Sequence, residues 1–112
     1  MARLLPAHDT TARVISSEFL ESRRKLAYGA VRLEIDDGSC KGEIIWASYT
    51  WHTWVMFECA KVFGLAIPPH QDAQSNVGKR FKIRIKQQEI ESFAPPHEGK
   101  LMRNYVQFLD RL

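Results

Sequence analysis

The clearest pattern in the chain is at residues 78–86, GKRFKIRIK, where Phe81, Ile83 and Ile85 alternate with Arg80, Lys82, Arg84 and Lys86. A period of two places the apolar side chains on one side of a strand and the charged ones on the other. Upstream, TTARVISSEF is rich in β-branched residues and predicts a first strand ending near Leu20. After the polar turn ESRRK, the run AYGAVRLEI alternates Val31, Leu33 and Ile35 with Ala30, Arg32 and Glu34. It predicts a second strand, paired with the first as an antiparallel hairpin and ended by Asp37-Gly38. EIIWASYTW is a third strand whose two faces, Ile44, Trp46 and Ser48 against Ile45, Ala47 and Tyr49, are both apolar enough to be the buried one. From residue 53 the period changes. TWVMFECAKVF fits a helix that stops at Gly64, with Trp54, Glu58 and Lys61 on its polar side. LAIPPHQDAQSN and SFAPPHEGK are loops, and LMRNYVQFLDRL is a final strand built on Tyr105, Val106, Phe108 and Leu109, although its spacing also fits a short helix.

The order is therefore β-β-β-α-β-β, mainly β with one helix. This is the order of the five-stranded OB-fold barrel, which binds oligonucleotides on the face of strands two and three and with the loops joining strands one to two and four to five. With 112 residues, the chain holds a single domain over 1–112. Its 45% hydrophobic and 26% charged residues are those of an ordinary globular protein. No apolar run approaches a spanning helix and the N-terminus lacks a signal h-region, so a cytoplasmic location is expected. Cys40 and Cys59 stand outside any metal or disulfide spacing.

Net charge is only +3, but eight of the sixteen basic residues fall in two blocks, Arg23-Arg24-Lys25 and Lys79–Lys86. The first block is the tip of the first hairpin, at the mouth where an OB-fold closes over a strand. On the fourth strand, Lys82, Arg84 and Lys86 could neutralise phosphates or could simply discourage edge-to-edge association. Arg32 and Lys100 complete the basic set. Single-strand binding also needs aromatic platforms. Tyr28, Trp46, Tyr49, Trp51, Trp54 and Phe93 are the candidates. Tyr28 and Phe93 are the best of them, being nearest the two loops. Trp54, Phe57 and Lys61 on the helix instead suggest a protein contact, because exposed Trp beside Lys is the composition of interface anchors.

The histidines, His8, His52, His70 and His97, are scattered, without a metal-ligand or nucleophile motif. No Gly-rich phosphate loop occurs. Neither an enzyme nor a cofactor is indicated.

The motifs TARVISSEF at 11–19, VRLEIDDGSCKGEIIW at 31–46, AKVFGL at 60–65 and VGKRFKIRIKQQE at 77–89 resemble those of a family of small phage and prophage proteins encoded beside recombination and replication genes. The resemblance spans nearly the whole chain in order. It implies an OB-fold and a role as a single-stranded DNA-binding or recombination-accessory protein. The rival expectation is a protein-binding adaptor or inhibitor, such as a phage-encoded inhibitor of a host defence complex, that uses the helix face or pairs with a second copy.

Overall fold

In the computed structural model, residues 4–50, 61–68, 71–92 and 99–112 are described. Five strands, β1 (His8–Glu21), β2 (Ala27–Ile35), β3 (Ile44–Thr50), β4 (Arg80–Ser92) and β5 (Gly99–Arg111), form one sheet in the order β3-β2-β1-β4-β5. Every ladder is antiparallel. The final segment is a strand, because its backbone is consumed by pairing with β4 from Phe81↔Arg111 to Ser92↔Gly99, which excludes the helical alternative. A short 3₁₀ turn, Ala73–Asn76, precedes β4.

Alternation decides what is buried. Phe81, Ile83 and Ile85 are fully enclosed, while Arg80, Lys82, Arg84 and Lys86 are exposed. Each such side chain contributes about 1.5–3 kcal/mol by burial, and a slip of one residue would exchange them for charges. Phe81 packs edge-on against Phe63 and Phe108, with ring centroids 6.3 and 5.1 Å away. Val14, Val31, Leu33, Ile35 and Ile45 complete the core from the other three strands.

β3 resolves in favour of Ile45, Ala47 and Tyr49, leaving Trp46 52% exposed. The reason is a buried polar hub that no local pattern announces. The Tyr49 hydroxyl donates to the Ala66 carbonyl at 2.6 Å and accepts from Asn76 Nδ2 at 2.9 Å. Asn76 Nδ2 also donates to Ser17 Oγ at 3.1 Å, and Asn76 Oδ1 accepts from the Ala66 N–H at 2.8 Å. The Tyr49 ring lies on Gly29, its partner in the β2–β3 register, where a Cβ would stand 2.2 Å from Tyr49 Cζ. Only glycine leaves that room.

Of the expected helix, residues 61–63 are helical and Gly64 follows at φ +70°, the left-handed stop read from the sequence. Lys79 Nζ donates to the Gly64 carbonyl, which anchors this end to the chain entering β4. The remainder of that helix lies outside the described residues.

β1 is the strand on which the sheet turns. Its first half pairs with β4, from His8↔Ile85 to Arg13↔Arg80, and its second half with β2, from Ala12↔Ile35 to Glu21↔Ala27, so that Ala12 and Arg13 have partners on both sides. The register with β2 then shifts between Val14 and Ser16, and no β4 partner follows in the ladder. Such a bulge bends a strand and increases its twist. Among the described residues no ladder joins β3 to β5, so the sheet is open, and the closed barrel expected from the alternation is not formed there.

Candidate nucleic-acid interface

The outward face of β1, β2 and β3 is fixed by register. Ser16 stands opposite Arg32, which stands opposite Trp46. In the next row Glu18, Ala30 and Ser48 align, and beyond it Leu20 faces Tyr28. The Arg32 guanidinium lies 5.8 Å from the Trp46 ring centroid, a cation–π contact that holds the indole against the sheet. Tyr28 is half-buried, and Ala30 lies low between the two aromatic rows.

A second wall rises across the open seam. β5 brings Leu101, Met102, Arg103 and Tyr105 to the same cavity, and Leu4 joins them. Leu4 is placed by its neighbour: Leu5 is fully buried, its N–H donates to Asn104 Oδ1 at 2.9 Å and its carbonyl accepts from Gln87 Nε2 at 3.0 Å. Together the walls enclose a groove of about 880 Å³. Wells of this size with an apolar lining and a few polar groups are typical ligand sites. Its borders are the facing edges of β3 and β5, with Trp46, Met102 and Tyr105 each more than two-fifths exposed.

The basic turn follows the Leu20–Tyr28 row along the β1–β2 hairpin. Lys25 N–H donates to the Ser22 carbonyl at 2.8 Å and Ser22 N–H to the Leu26 carbonyl at 2.9 Å, leaving Arg23, Arg24 and Lys25 as a three-residue loop just past the Leu20–Tyr28 row. Lys25 holds φ +60°, a left-handed conformation normally left to glycine or asparagine. On the β5 wall, Arg103 is steadied by Gln88, whose Oε1 accepts from its Nε at 3.1 Å and from Nη2 at 2.9 Å. Glu18 also lines the groove and has no ion pair among the described residues.

The stripe on β4 runs away from the basic turn and meets the groove only at Lys86, which stands opposite Tyr105. Lys86 flanks the start of β1, whereas the basic turn follows its end, about 50 Å away along the strand contour at ~3.3 Å per residue. Acidic residues intervene. Asp9 accepts from Arg84 Nε and Nη2 at 2.8 and 3.1 Å, Asp36 accepts from Arg80 Nε at 2.8 Å and from the Thr11 hydroxyl, and Glu34 pairs with Arg13 at 3.4 Å. The arginine hydrogen bonds hold both aspartates below the usual carboxylate range. A continuous basic track from stripe to turn is therefore absent, and Lys82 and Lys86 alone lack ion pairs on that face among the described residues. Nor is β4 an edge strand where the stripe lies, since β1 and β5 flank it, so edge protection does not account for these charges.

Of the residues singled out in the sequence, Tyr28 and Trp46 line the groove, Arg32 lies over the Trp46 ring, Arg23, Arg24 and Lys25 form the turn of the hairpin that carries Tyr28, and Lys100 precedes the lining residue Leu101 in β5. Lys82 and Arg84 stand apart, opposite Asp110 and Gln107 of β5, whereas Lys86 stands opposite the groove-lining Tyr105, and Tyr49 belongs to the buried hub. Lys61 is exposed, while Phe93, Trp54 and Phe57 lie outside the described residues. Pattern reading gave no weight to Glu18 or to the β5 wall; both follow from cross-strand pairing, which a single strand's alternation does not encode. Among the described residues no cluster of potential metal ligands occurs, and no helix is long and apolar enough to cross a membrane. Comparison with protein-family models, curated proteins and solved structures finds no match to this chain.

Proposed function

We propose that the protein binds single-stranded nucleic acid, DNA in the first instance, in the groove between β3 and β5 of a partly open OB-type barrel. One observation carries the reading: half-exposed Trp46 and half-buried Tyr28 line one groove, and the hairpin that brings Leu20 and Tyr28 to it turns at Arg23-Arg24-Lys25. The strand order agrees with an OB barrel whose β3–β5 seam is unzipped, a fold that is only partly closed and that binds with this face and these loops. Bases stack on the aromatic rings, each stacked base contributing ~1–3 kcal/mol regardless of sequence. The phosphates follow the rims, where Arg23, Arg24, Lys25 and Arg103 release counterions. On the motif resemblance, the cellular setting is phage replication or recombination.

The test is fluorescence anisotropy of labelled oligo-dT across a salt series. Trp46→Ala weakens binding about 5- to 150-fold, the loss of one stacked base. Replacing Arg23, Arg24 and Lys25 together by alanine lowers affinity and flattens the salt slope. Wild-type affinity and slope in both variants would remove the groove from the function. The protein-adaptor reading draws support from the neutralised outer face of β4, where Asp9 and Asp36 hold the arginines. It gains ground if no oligonucleotide binds.

A further inference from the structure

We infer that the groove reads a base rather than merely holding one, and that Glu18 gives it a preference for guanine over thymine. The inference rests on the nucleic-acid reading above and deepens it.

The row Glu18–Ala30–Ser48 crosses the groove floor between the Tyr28 row and the Arg32–Trp46 row. Successive outward rows on a sheet are about 6.7 Å apart, two residues of strand rise. Ala30 offers only a methyl group there, so the middle row is a gap flanked by aromatic rings, and a planar base fills it. What that base meets at its edge is the Glu18 side chain on one side and the Ser48 hydroxyl on the other.

A free carboxylate is an odd occupant of a phosphate-binding groove. It repels the backbone and can only accept hydrogen bonds. Glu18 therefore drives phosphates towards the rims, where the basic turn and Arg103 stand, and presents two acceptor oxygens to whatever base edge faces the floor. In a single strand the Watson–Crick edge is free for such contacts. Guanine offers two adjacent donors on that edge, N1–H and the N2 amino group, spaced to match both carboxylate oxygens. Cytosine and adenine offer one amino group beside an acceptor nitrogen. Thymine places two carbonyl oxygens around its single N–H, so both oxygens face a like partial charge. A bidentate pair of this kind discriminates by about 5- to 150-fold.

The experiment uses the full chain and labelled oligo-dT carrying one central dG, dC, dA or dT, with anisotropy as the readout. The dG host binds about tenfold tighter than all-dT, with dC and dA between. Glu18→Ala abolishes the ranking and raises all-dT affinity, since a negative charge has left the groove. Glu18→Gln, which keeps one acceptor, retains part of it. Equal wild-type affinities that still fall on Trp46→Ala would overturn base reading and leave nucleic-acid binding standing. A ranking that persists in Glu18→Ala would remove Glu18 as its source. Failure of every host to bind would overturn both readings together.

Discussion

Tyr49→Phe removes one oxygen from the centre of the buried hub and nothing else, so its cost can be worked from the hydrogen bonds alone. The hydroxyl makes two, donating to Ala66 O at 2.6 Å and accepting from Asn76 Nδ2 at 2.9 Å. Each intramolecular hydrogen bond is worth ~0.5–1.5 kcal/mol net. Asn76 Nδ2 keeps Ser17 Oγ as a partner, but the Ala66 carbonyl loses its hydroxyl donor in a residue only 2% exposed. A buried acceptor left unpaired costs about 1–3 kcal/mol. Since these figures overlap, the expected loss is about 2–4 kcal/mol, read as a lower urea midpoint with an unchanged m-value in a chain whose whole stability is of order 5–15 kcal/mol. Gly29→Ala serves as the companion variant, because its Cβ would stand 2.2 Å from Cζ and 2.7 Å from the hydroxyl oxygen of the same ring, and so displaces the whole side chain by steric overlap. Both variants lose stability, and the double variant loses less than the sum, as expected for residues in contact. A Tyr49→Phe loss below about 0.5 kcal/mol would refute the hub as the feature that orients β3.

Three further outcomes follow. Asp9 and Asp36 have pKa values lowered in the folded chain from an ordinary 3.8, so their stabilisation is present above that pH and lost as pH falls through the depressed folded values; Asp9→Asn with Asp36→Asn flattens the acid limb of stability measured by urea midpoint against pH. Lys25→Gly relieves a left-handed φ and raises stability by about 0.5–1 kcal/mol in urea unfolding, while binding of labelled oligo-dT weakens because a rim charge is gone. Lys82→Ala leaves oligo-dT affinity within about twofold, since this lysine stands opposite Asp110, away from the groove; a loss matching that of the triple Arg23, Arg24, Lys25 variant would move the site to β4.

The alternation of Phe81, Ile83 and Ile85 with basic residues was enough to place β4 and its buried face, because burying three charges there is untenable. β2 was legible for the same reason. β3 was not: Ile44 and Trp46 compete with Ile45 and Tyr49 on apolarity, and the decision comes from Ala66 and Asn76, partners 17 and 27 positions away in sequence. The helix stop at Gly64 was readable from residue type, since a positive φ favours glycine. The candidate site was half legible. Tyr28 and the basic turn follow from the expected β1–β2 hairpin, but the pairing of Arg80 and Arg84 with aspartates depends on the β1–β4 neighbourhood, and the opposing wall on β5, which local spacing left open between strand and helix.

The hub and the groove are the two sides of a single layer of backbone. Ser17, Gly29 and Tyr49 point inward, and their immediate neighbours Glu18, Ala30 and Ser48 point outward, so the floor that would receive a ligand is the reverse of a hydrogen-bonded interior. Such a floor arrives already ordered. A ligand meeting it forfeits its own torsional freedom but does not have to organise the protein beneath it, and the entropy lost on association falls mainly on the incoming chain. Loosening the interior by one oxygen would then reach the surface as a softer platform, felt in how long a ligand stays more than in how fast it arrives.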